Sequence, residues 1–352
     1  MTLLRSIAIS LLITSAASHR PNPSDESNCR PEGRVRLLYQ YPAGTFVENI
    51  AVRSNGKLLL TLLDRPHLDQ IDPFDDIPQA ETIVQFPQAR SVSGIAEIAH
   101  DVFATTVGNF SFDDPNVSPG TWSVWHTSFP TSKRESRKVK VRRITDLPGI
   151  NFPNGMSNLP ETATPNDILV GDVFTGKIWR VESRTGEKEV VIENNLTAVV
   201  PDPLYGEAGV NGLLVRGNTL YFANTGLGIL ARQQITSDGR PAGEPQVVAR
   251  LTSPQQADDF DIRGGYGYLA TGSGNAIVRT CLEHCEPGVQ SEAIAGGLNS
   301  TEVAEPTSVA FGRTRKDRHI LYVVTGGGRV TPVNGNVTIG AQVLAVDTRG
   351  WE

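Results

Sequence analysis

The sequence lacks the motifs of the common enzyme classes and contains little sulfur. Its 352 residues include only three cysteines and two methionines. It contains no Gly-x-Ser-x-Gly nucleophile elbow, His-Glu-x-x-His zinc helix, phosphate-binding loop or dinucleotide fingerprint. These absences argue against α/β-hydrolase, zinc-protease, nucleotide-hydrolase and Rossmann-oxidoreductase chemistry.

Strong charge of one sign and long apolar runs are also missing. The formal net charge is −6, and basic residues cluster only over 133–143, which predicts no nucleic-acid partner. An apolar stretch over 7–13 follows Arg5 and precedes small residues. This pattern is typical of a signal peptide, here residues 1–17, and is too short to span a membrane. We therefore predict entry into the secretory pathway, with an N-terminal extension over 18–33.

Glycosylation sequons fit this route. The chain carries five Asn-x-Ser/Thr sequons, which predicts a glycoprotein. The acceptor residues are Asn109, Asn116, Asn195, Asn299 and Asn336.

The cysteines are few and odd in number. In an oxidising compartment we expect Cys281 and Cys285, which are close in sequence, to form a disulfide. His284 lies between them, but three ligands this close together do not match the paired spacing of zinc sites. Cys29 lies near the mature N terminus and is left either free or in competition for one of the other two.

The dominant pattern in the chain is a repeat. Short polar-hydrophobic strand starts, each followed by further apolar or alternating runs, recur at intervals close to the roughly 40 to 50 residues of propeller blades. This predicts an all-β, six-bladed β-propeller over residues 34–352. The sixth repeat lacks an outer strand, and residues 34–40 form an unassigned strand before the first repeat. We expect that N-terminal strand to close the last blade.

The equivalent strand starts converge on the propeller axis. They are polar in all six repeats: Glu48, Ser93, Asn154, Asn211, Asp258 and Thr307. Four of them carry a carboxylate or amide oxygen, the ligand type that Ca²⁺ prefers. The alternative is that such residues only cap strand ends, because Asn-Gly is a common turn signal.

At these positions the chain resembles the SMP-30/gluconolactonase-like superfamily of six-bladed propellers. The resemblance rests on Asn154-Gly155-Met156, Asn211-Gly212-Leu213, Asp258-Asp259-Phe260 and the hairpin over 171–181. It implies a divalent cation held by Glu48, Asn154, Asn211 and Asp258. Asp259 departs from the family pattern, in which a glycine follows the aspartate.

A closer resemblance is to secreted fungal propellers of this superfamily. The segments that carry it are 41–53, 59–63, 71–74 and 107–111. The resemblance implies a hetero-Diels-Alderase of tropolone-sesquiterpenoid biosynthesis, which joins a tropolone-derived ortho-quinone methide to an alkene of a humulene-type terpene. The small-molecule substrates would then be a tropolone and a terpene, and the cycloaddition itself requires no cofactor.

Such a reaction needs two apolar partners held face to face, so we expect aromatic walls. We expect Phe152, Phe174, Tyr205 and Trp122 to line the site beside Ser93 and Thr307. Two alternatives remain open. The axial residues could form a Ca²⁺-dependent lactonase, in which the metal polarises a carbonyl, or the chain could be a non-catalytic ligand-binding propeller.

Overall fold

The computed structural model describes residues 34–114, 118–130, 138–159, 167–204, 206–283 and 291–351. The signal peptide and the extension predicted before residue 34 lie outside these ranges, as do Cys29, Asn116, Tyr205, His284 and Cys285. Within the described ranges, no helix is long and apolar enough to cross a membrane.

Nearly all regular structure is β-strand. The first half of the chain forms β1 (Val35–Ala43), β2 (Val47–Val52), β3 (Leu58–Leu62), β4 (His67–Ile71), β5 (Glu81–Gln85), β6 (Ser91–Ala99), β7 (Val102–Gly108), β8 (Ser123–Ser128), β9 (Lys140–Asp146), β10 (Pro153–Asn158), β11 (Ile168–Asp172), β12 (Lys177–Val181) and β13 (Lys188–Ile192). The second half forms β14 (Val200–Asp202), β15 (Gly206–Ala208), β16 (Val210–Arg216), β17 (Thr219–Asn224), β18 (Ile229–Gln234), β19 (Gln246–Arg250), β20 (Phe260–Arg263), β21 (Tyr266–Ala270), β22 (Ala276–Cys281), β23 (Ser291–Gly296), β24 (Pro306–Phe311), β25 (Ile320–Thr325) and β26 (Gly340–Asp347).

These strands confirm the predicted six-bladed β-propeller. Five four-stranded antiparallel sheets use consecutive strands, beginning with β2, β6, β10, β16 and β20. The sixth has the order β1-β26-β25-β24, so the N-terminal strand closes the last blade. The pairing runs from Val35 opposite Val346 to Ala43 opposite Gly340. A small hairpin of β14 and β15, absent from the sequence-based prediction, lies in the connection between the third and fourth blades.

Buried apolar side chains fill the junctions between neighbouring blades. Leu59 packs with Phe103 between the first two blades, and Tyr268 meets Phe311 edge to face at 4.9 Å between the last two. Similar clusters occupy the other junctions. The burial of strand faces on both sides explains why most inner strands are almost continuously apolar or small.

Close approach of the innermost strands depends on glycine. A Cβ atom at Gly155 would lie 2.1 Å from the Asn211 carbonyl oxygen, and one at Gly94 would lie 2.1 Å from the Asn154 carbonyl oxygen. At Gly212 it would lie 2.8 Å from the carbonyl oxygen of Asp258. Each of these glycines therefore allows its strand to touch the axial position of the next blade.

β-Bulges accompany these contacts. The register of the innermost strand shifts between Val47 and Asn49, between Pro153 and Met156, and between Val210 and Leu213. A bulge bends a strand and re-aims a side chain. The bulges thus lie at Glu48, Asn154 and Asn211, which are left out of the regular strand pairing.

We predict that Gly155→Ala destabilises the protein by about 3 kcal/mol or more, because the added methyl group would meet backbone atoms that cannot rotate away. Chemical denaturation measures the change in the free energy of unfolding. Gly297→Ala is the matched control, since a Cβ atom there meets nothing within 4 Å. Equal stabilities of the two variants would contradict the close-approach requirement.

Candidate functional site

A cavity of about 480 Å³ opens at one end of the propeller axis. Its size is within the usual range for small-molecule sites. Its polar lining consists of Glu48, Asp113, Asn154, Asn211, Thr225, Asp258 and Arg329. Its apolar lining consists of Phe46, Leu63, Phe110, Phe112, Phe152, Val173, Phe174, Leu204 and Val330.

The floor of the cavity is made of two carboxyl–amide pairs. The Asn154 Nδ2 group donates to Glu48 Oε1 at 2.5 Å, and Asn49 Nδ2 donates to Asn154 Oδ1 at 2.8 Å. The Asn211 Nδ2 group donates to Asp258 Oδ1 at 2.8 Å. All four predicted axial residues, Glu48, Asn154, Asn211 and Asp258, are therefore brought together. We call these four residues the polar floor.

In the part of the chain that the structure describes, one fully buried oxygen of the polar floor has no hydrogen-bond partner. Asn211 Nδ2 is shared between Asp258 and the Thr225 hydroxyl, whereas Asn211 Oδ1 is buried without a hydrogen bond. Buried polar atoms are usually satisfied, so an orphan acceptor at a cavity indicates a place for a ligand donor or a cation. The oxygen donors of the polar floor match the ligand preference of a hard cation such as Ca²⁺.

Burial raises the pKa of the acidic groups around the axis. It raises the pKa of Glu48 to about 8, with a further contribution from Asp259 and Glu305. Burial and the nearby charge of Glu48 also raise the pKa of Asp258. Asp259, held by the Phe260 amide and the Ser308 hydroxyl, has its pKa raised by burial to about 7. Several of these carboxyl groups can therefore hold a proton near neutral pH.

A row of phenylalanine rings forms one wall. Ring centroids are 5.1 Å apart for Phe46 and Phe112, 5.1 Å for Phe112 and Phe110, 5.0 Å for Phe110 and Phe152, and 5.3 Å for Phe152 and Phe174. We call these five residues the phenylalanine wall. Such contacts stabilise each other beyond simple burial.

Asp172 positions one end of this wall. Its fully buried carboxylate accepts hydrogen bonds from the Phe152 amide at 2.9 Å, the Phe174 amide at 3.3 Å and the Thr175 hydroxyl at 2.7 Å. Because Asp172 ends β11, the blade core fixes both loops that carry these rings. This end of the wall is therefore held by the scaffold.

The other predicted site residues have different positions. Trp122 is fully buried and lies behind the wall, 5.8 Å from Phe152, with its indole nitrogen donating to the Asn151 carbonyl at 2.9 Å. Ser93 and Thr307 are buried and do not line the cavity. The Thr307 hydroxyl instead donates to the Val47 carbonyl at 2.7 Å. Tyr205 lies outside the described residues.

The predicted modification sites are placed in part. Asn195, Asn299 and Asn336 are exposed, and Asn109 is partly buried. Cys281 ends β22, but its predicted partner Cys285 lies outside the described residues. The disulfide and the glycans stay predictions.

Sequence reasoning missed Phe46, Phe110, Phe112 and Arg329. A signal for Phe46 was present, since it precedes Glu48 by two residues as Phe152 precedes Asn154. Phe110 and Phe112 continue the period of two beyond β7. Arg329 had no such signal, because it reaches the cavity from the loop between β25 and β26.

We predict that stability in EDTA falls by about 2 kcal/mol between pH 6.5 and 8. Over this window Glu48 is ionised in the unfolded chain but still holds its proton when folded, so rising pH favours unfolding. Denaturation across pH measures the slope. Glu48→Gln should make the slope shallower, with Asp259 contributing to what remains, and the exposed-site control Asp75→Asn should leave it unchanged. An unchanged slope in Glu48→Gln would refute this assignment.

Comparison with known proteins gives relatives along nearly the whole chain. No protein-family model matches. The chain is 28% identical over 340 residues to a protein of Sarocladium schorii named "Putative hetero-Diels-Alderase asR5", covering 90% of this chain and 84% of that one. It is also 28% identical over 371 residues to a Phoma sp. protein named "Putative hetero-Diels-Alderase", covering 98% of each.

Solved structures support the fold. A luciferin-regenerating enzyme superposes with a TM-score of 0.62 at 14% identity, covering 90% of this chain and 95% of that one. The chain is a six-bladed β-propeller and a homologue of curated proteins named as hetero-Diels-Alderases.

Proposed function

We propose that this protein is a hetero-Diels-Alderase that joins a tropolone ortho-quinone methide to an alkene of a humulene-type sesquiterpene. The observation that carries the proposal is the phenylalanine wall, which faces the polar floor across one cavity. Near full-length similarity to proteins with that name supports the same reaction type.

The cycloaddition requires no covalent bond between the protein and its substrates. The heterodiene O=C–C=CH₂ and the alkene C=C form one C–O bond and one C–C bond, and no atom is lost. Catalysis then rests on holding both partners in the reacting geometry, which can supply about 7 to 11 kcal/mol. A rigid, largely apolar cavity suits this task because it holds both partners away from water.

The phenylalanine wall would hold the terpene. Phe110, Phe152 and Phe174 present adjoining faces and edges to the cavity, and a hydrocarbon gains by leaving water for such a surface. Asp172 holds Phe152 and Phe174, and the Ser91 hydroxyl accepts from the Phe110 amide at 3.0 Å. Because these rings are held in place, the wall can favour one face of the alkene. We infer that the wall controls stereoselectivity.

The polar floor would act on the oxygenated partner. A protonated Glu48 or Asp258 can donate a hydrogen bond to the quinone-methide carbonyl, whose oxygen gains charge as the bonds form. The same proton can assist the loss of water from a hydroxymethyl precursor, since a general acid protonates the departing hydroxyl group. The water leaves with that proton, and the carboxylate so formed takes the proton of the ring hydroxyl, which restores the acid.

We predict that Phe152→Ala lowers the rate of cycloadduct formation about tenfold or more and reduces enantiomeric excess, because the terpene loses its fixed surface. Chiral chromatography of incubations with a tropolone quinone-methide precursor and humulenol measures both. Phe74→Ala is the matched control, since Phe74 is exposed at 42% and does not line the cavity. Racemic product at the background rate with wild-type protein would reject the proposed reaction.

A second candidate is a Ca²⁺-dependent lactonase, which the unpartnered Asn211 Oδ1 favours. Glu48, Asn154, Asn211 and Asp258 would hold the ion. When bound, a divalent cation supplies polarisation of a carbonyl oxygen. Asp258 would take a proton from the attacking water.

EDTA separates the two candidates. We predict that cycloadduct formation is unchanged by EDTA, because no step of the proposed reaction uses an ion. Lactone hydrolysis that is lost in EDTA and returns with Ca²⁺ would favour the lactonase. In that case Asp258→Asn should remove lactone hydrolysis together with Ca²⁺-dependent thermal stabilisation, and retention of both would reject the second candidate.

A further inference from the structure

Arg329 is a cationic side chain in an otherwise acidic cavity. Among the described residues that line the cavity, it carries the only positive charge, while Glu48, Asp113 and Asp258 carry acidic groups. It lies at the rim, and it also lines an adjoining groove of about 330 Å³. Asp113 lines both the cavity and this groove as well. The cavity therefore has an acidic floor, and its rim carries one guanidinium and one carboxylate.

The arginine is held in place before any ligand arrives. Its guanidinium lies over the Phe112 ring at 4.0 Å, and its Nη1 group donates to the Gly44 carbonyl oxygen. The loop behind it is anchored by Glu305, whose carboxylate accepts from the Val330 amide at 3.1 Å and the Thr331 amide at 2.7 Å. A pre-organised guanidinium loses little freedom on binding.

Much of its hydrogen-bonding capacity remains unused. Within the described part of the chain, Arg329 forms no ion pair with a carboxylate, and its Nε and Nη2 groups make no hydrogen bond. By contrast, Arg65 of the adjoining groove is paired with Asp64 at 2.7 Å. A guanidinium with free edges at a cavity rim is suited to a planar, bidentate acceptor.

We propose that Arg329 forms an anion subsite for the tropolone partner, taking an ionised ring hydroxyl other than the quinone-methide oxygen, together with the carbonyl oxygen beside it, in a bidentate contact. This rests on the proposed function. A ring oxygen pair carrying negative charge would be repelled by Glu48, Asp258 and Asp113 and attracted to the Arg329 guanidinium. Phe112, already stacked on the guanidinium, offers a surface for the ring. Arg329 thereby orients the tropolone, while the remaining wall is left for the terpene.

Binding of two simple probes tests the subsite without requiring turnover. Tropolone carries the acidic hydroxyl beside its carbonyl, whereas tropone lacks that hydroxyl. We expect wild-type protein to bind tropolone more tightly than tropone and to lower the pKa of bound tropolone, which near-ultraviolet absorption reports. Arg329→Gln should weaken tropolone binding by about tenfold or more and remove the preference over tropone.

Two further variants control for structure. Arg329→Lys keeps the positive charge but loses the paired N–H donors of the guanidinium, so it should retain part of the preference for tropolone over tropone. Arg90→Gln removes an exposed arginine of the adjoining groove and should leave tropolone binding within about twofold of wild type. If Arg329 only supported Phe112, both probes would weaken equally in Arg329→Gln.

The outcomes separate this inference from the proposed reaction. A tropolone preference and pKa shift that persist in Arg329→Gln would overturn the subsite, whether or not cycloadduct forms. Loss of both in Arg329→Gln, with partial return in Arg329→Lys, would support the subsite. If wild-type protein then formed no cycloadduct, the subsite would stand and the proposed reaction would fail.

Discussion

The site depends on backbone contact between neighbouring innermost strands. Each blade must bring its inner strand close enough to the next for polar side chains from separate sheets to share hydrogen bonds. An added Cβ atom would lie 2.1 Å from the Asn211 carbonyl oxygen at Gly155 and 2.1 Å from the Asn154 carbonyl oxygen at Gly94. The Asn154–Glu48 and Asn211–Asp258 pairs follow from that spacing, since side chains on strands held farther apart could not meet. The repeated polar-Gly pattern is thus a packing requirement as well as a turn signal.

This convergence concentrates acids where water is scarce. Glu48 and Glu305 are buried and Asp258 and Asp259 are half-buried. Removal from water raises the pKa of all four. Such a group is stable only when it is protonated, hydrogen-bonded or balanced by a cation. Glu305 uses loop amides, and Asp259 uses the Phe260 amide and the Ser308 hydroxyl. Glu48 and Asp258 line the cavity, so their protonation depends on the ligand or ion that binds there.

The sequence predicted the blades, their closure by the N-terminal strand and the polar floor, because all three follow from repeats in phase. Position within the repeat could not distinguish the polar-floor residues from Ser93 and Thr307, which occupy the same position in their own repeats. The difference is how deeply the side chains are buried. The Thr307 hydroxyl, for example, donates to the Val47 carbonyl and does not reach the cavity. Trp122 and Phe152 show the same limit, since one is buried behind the other. Arg329 required the folded loop, because its contacts with Gly44 and Phe112 join segments far apart in sequence.

Proton and cation would compete for the same oxygens of the polar floor. A protonated Glu48 is a hydrogen-bond donor, which suits the activation of a carbonyl, whereas an ionised Glu48 is a ligand for a hard cation. The raised pKa of Glu48 favours the first state near neutral pH when no ion is present. An anionic substrate would favour it further, because its charge opposes ionisation of the floor. In the proposed subsite, the Arg329 guanidinium would lessen the resulting repulsion by holding that charge away from Glu48 and Asp258. Under the proposed function, the Arg329 guanidinium and a protonated Glu48 would then act on opposite edges of one partner, which is acidic at one edge and electrophilic at the other.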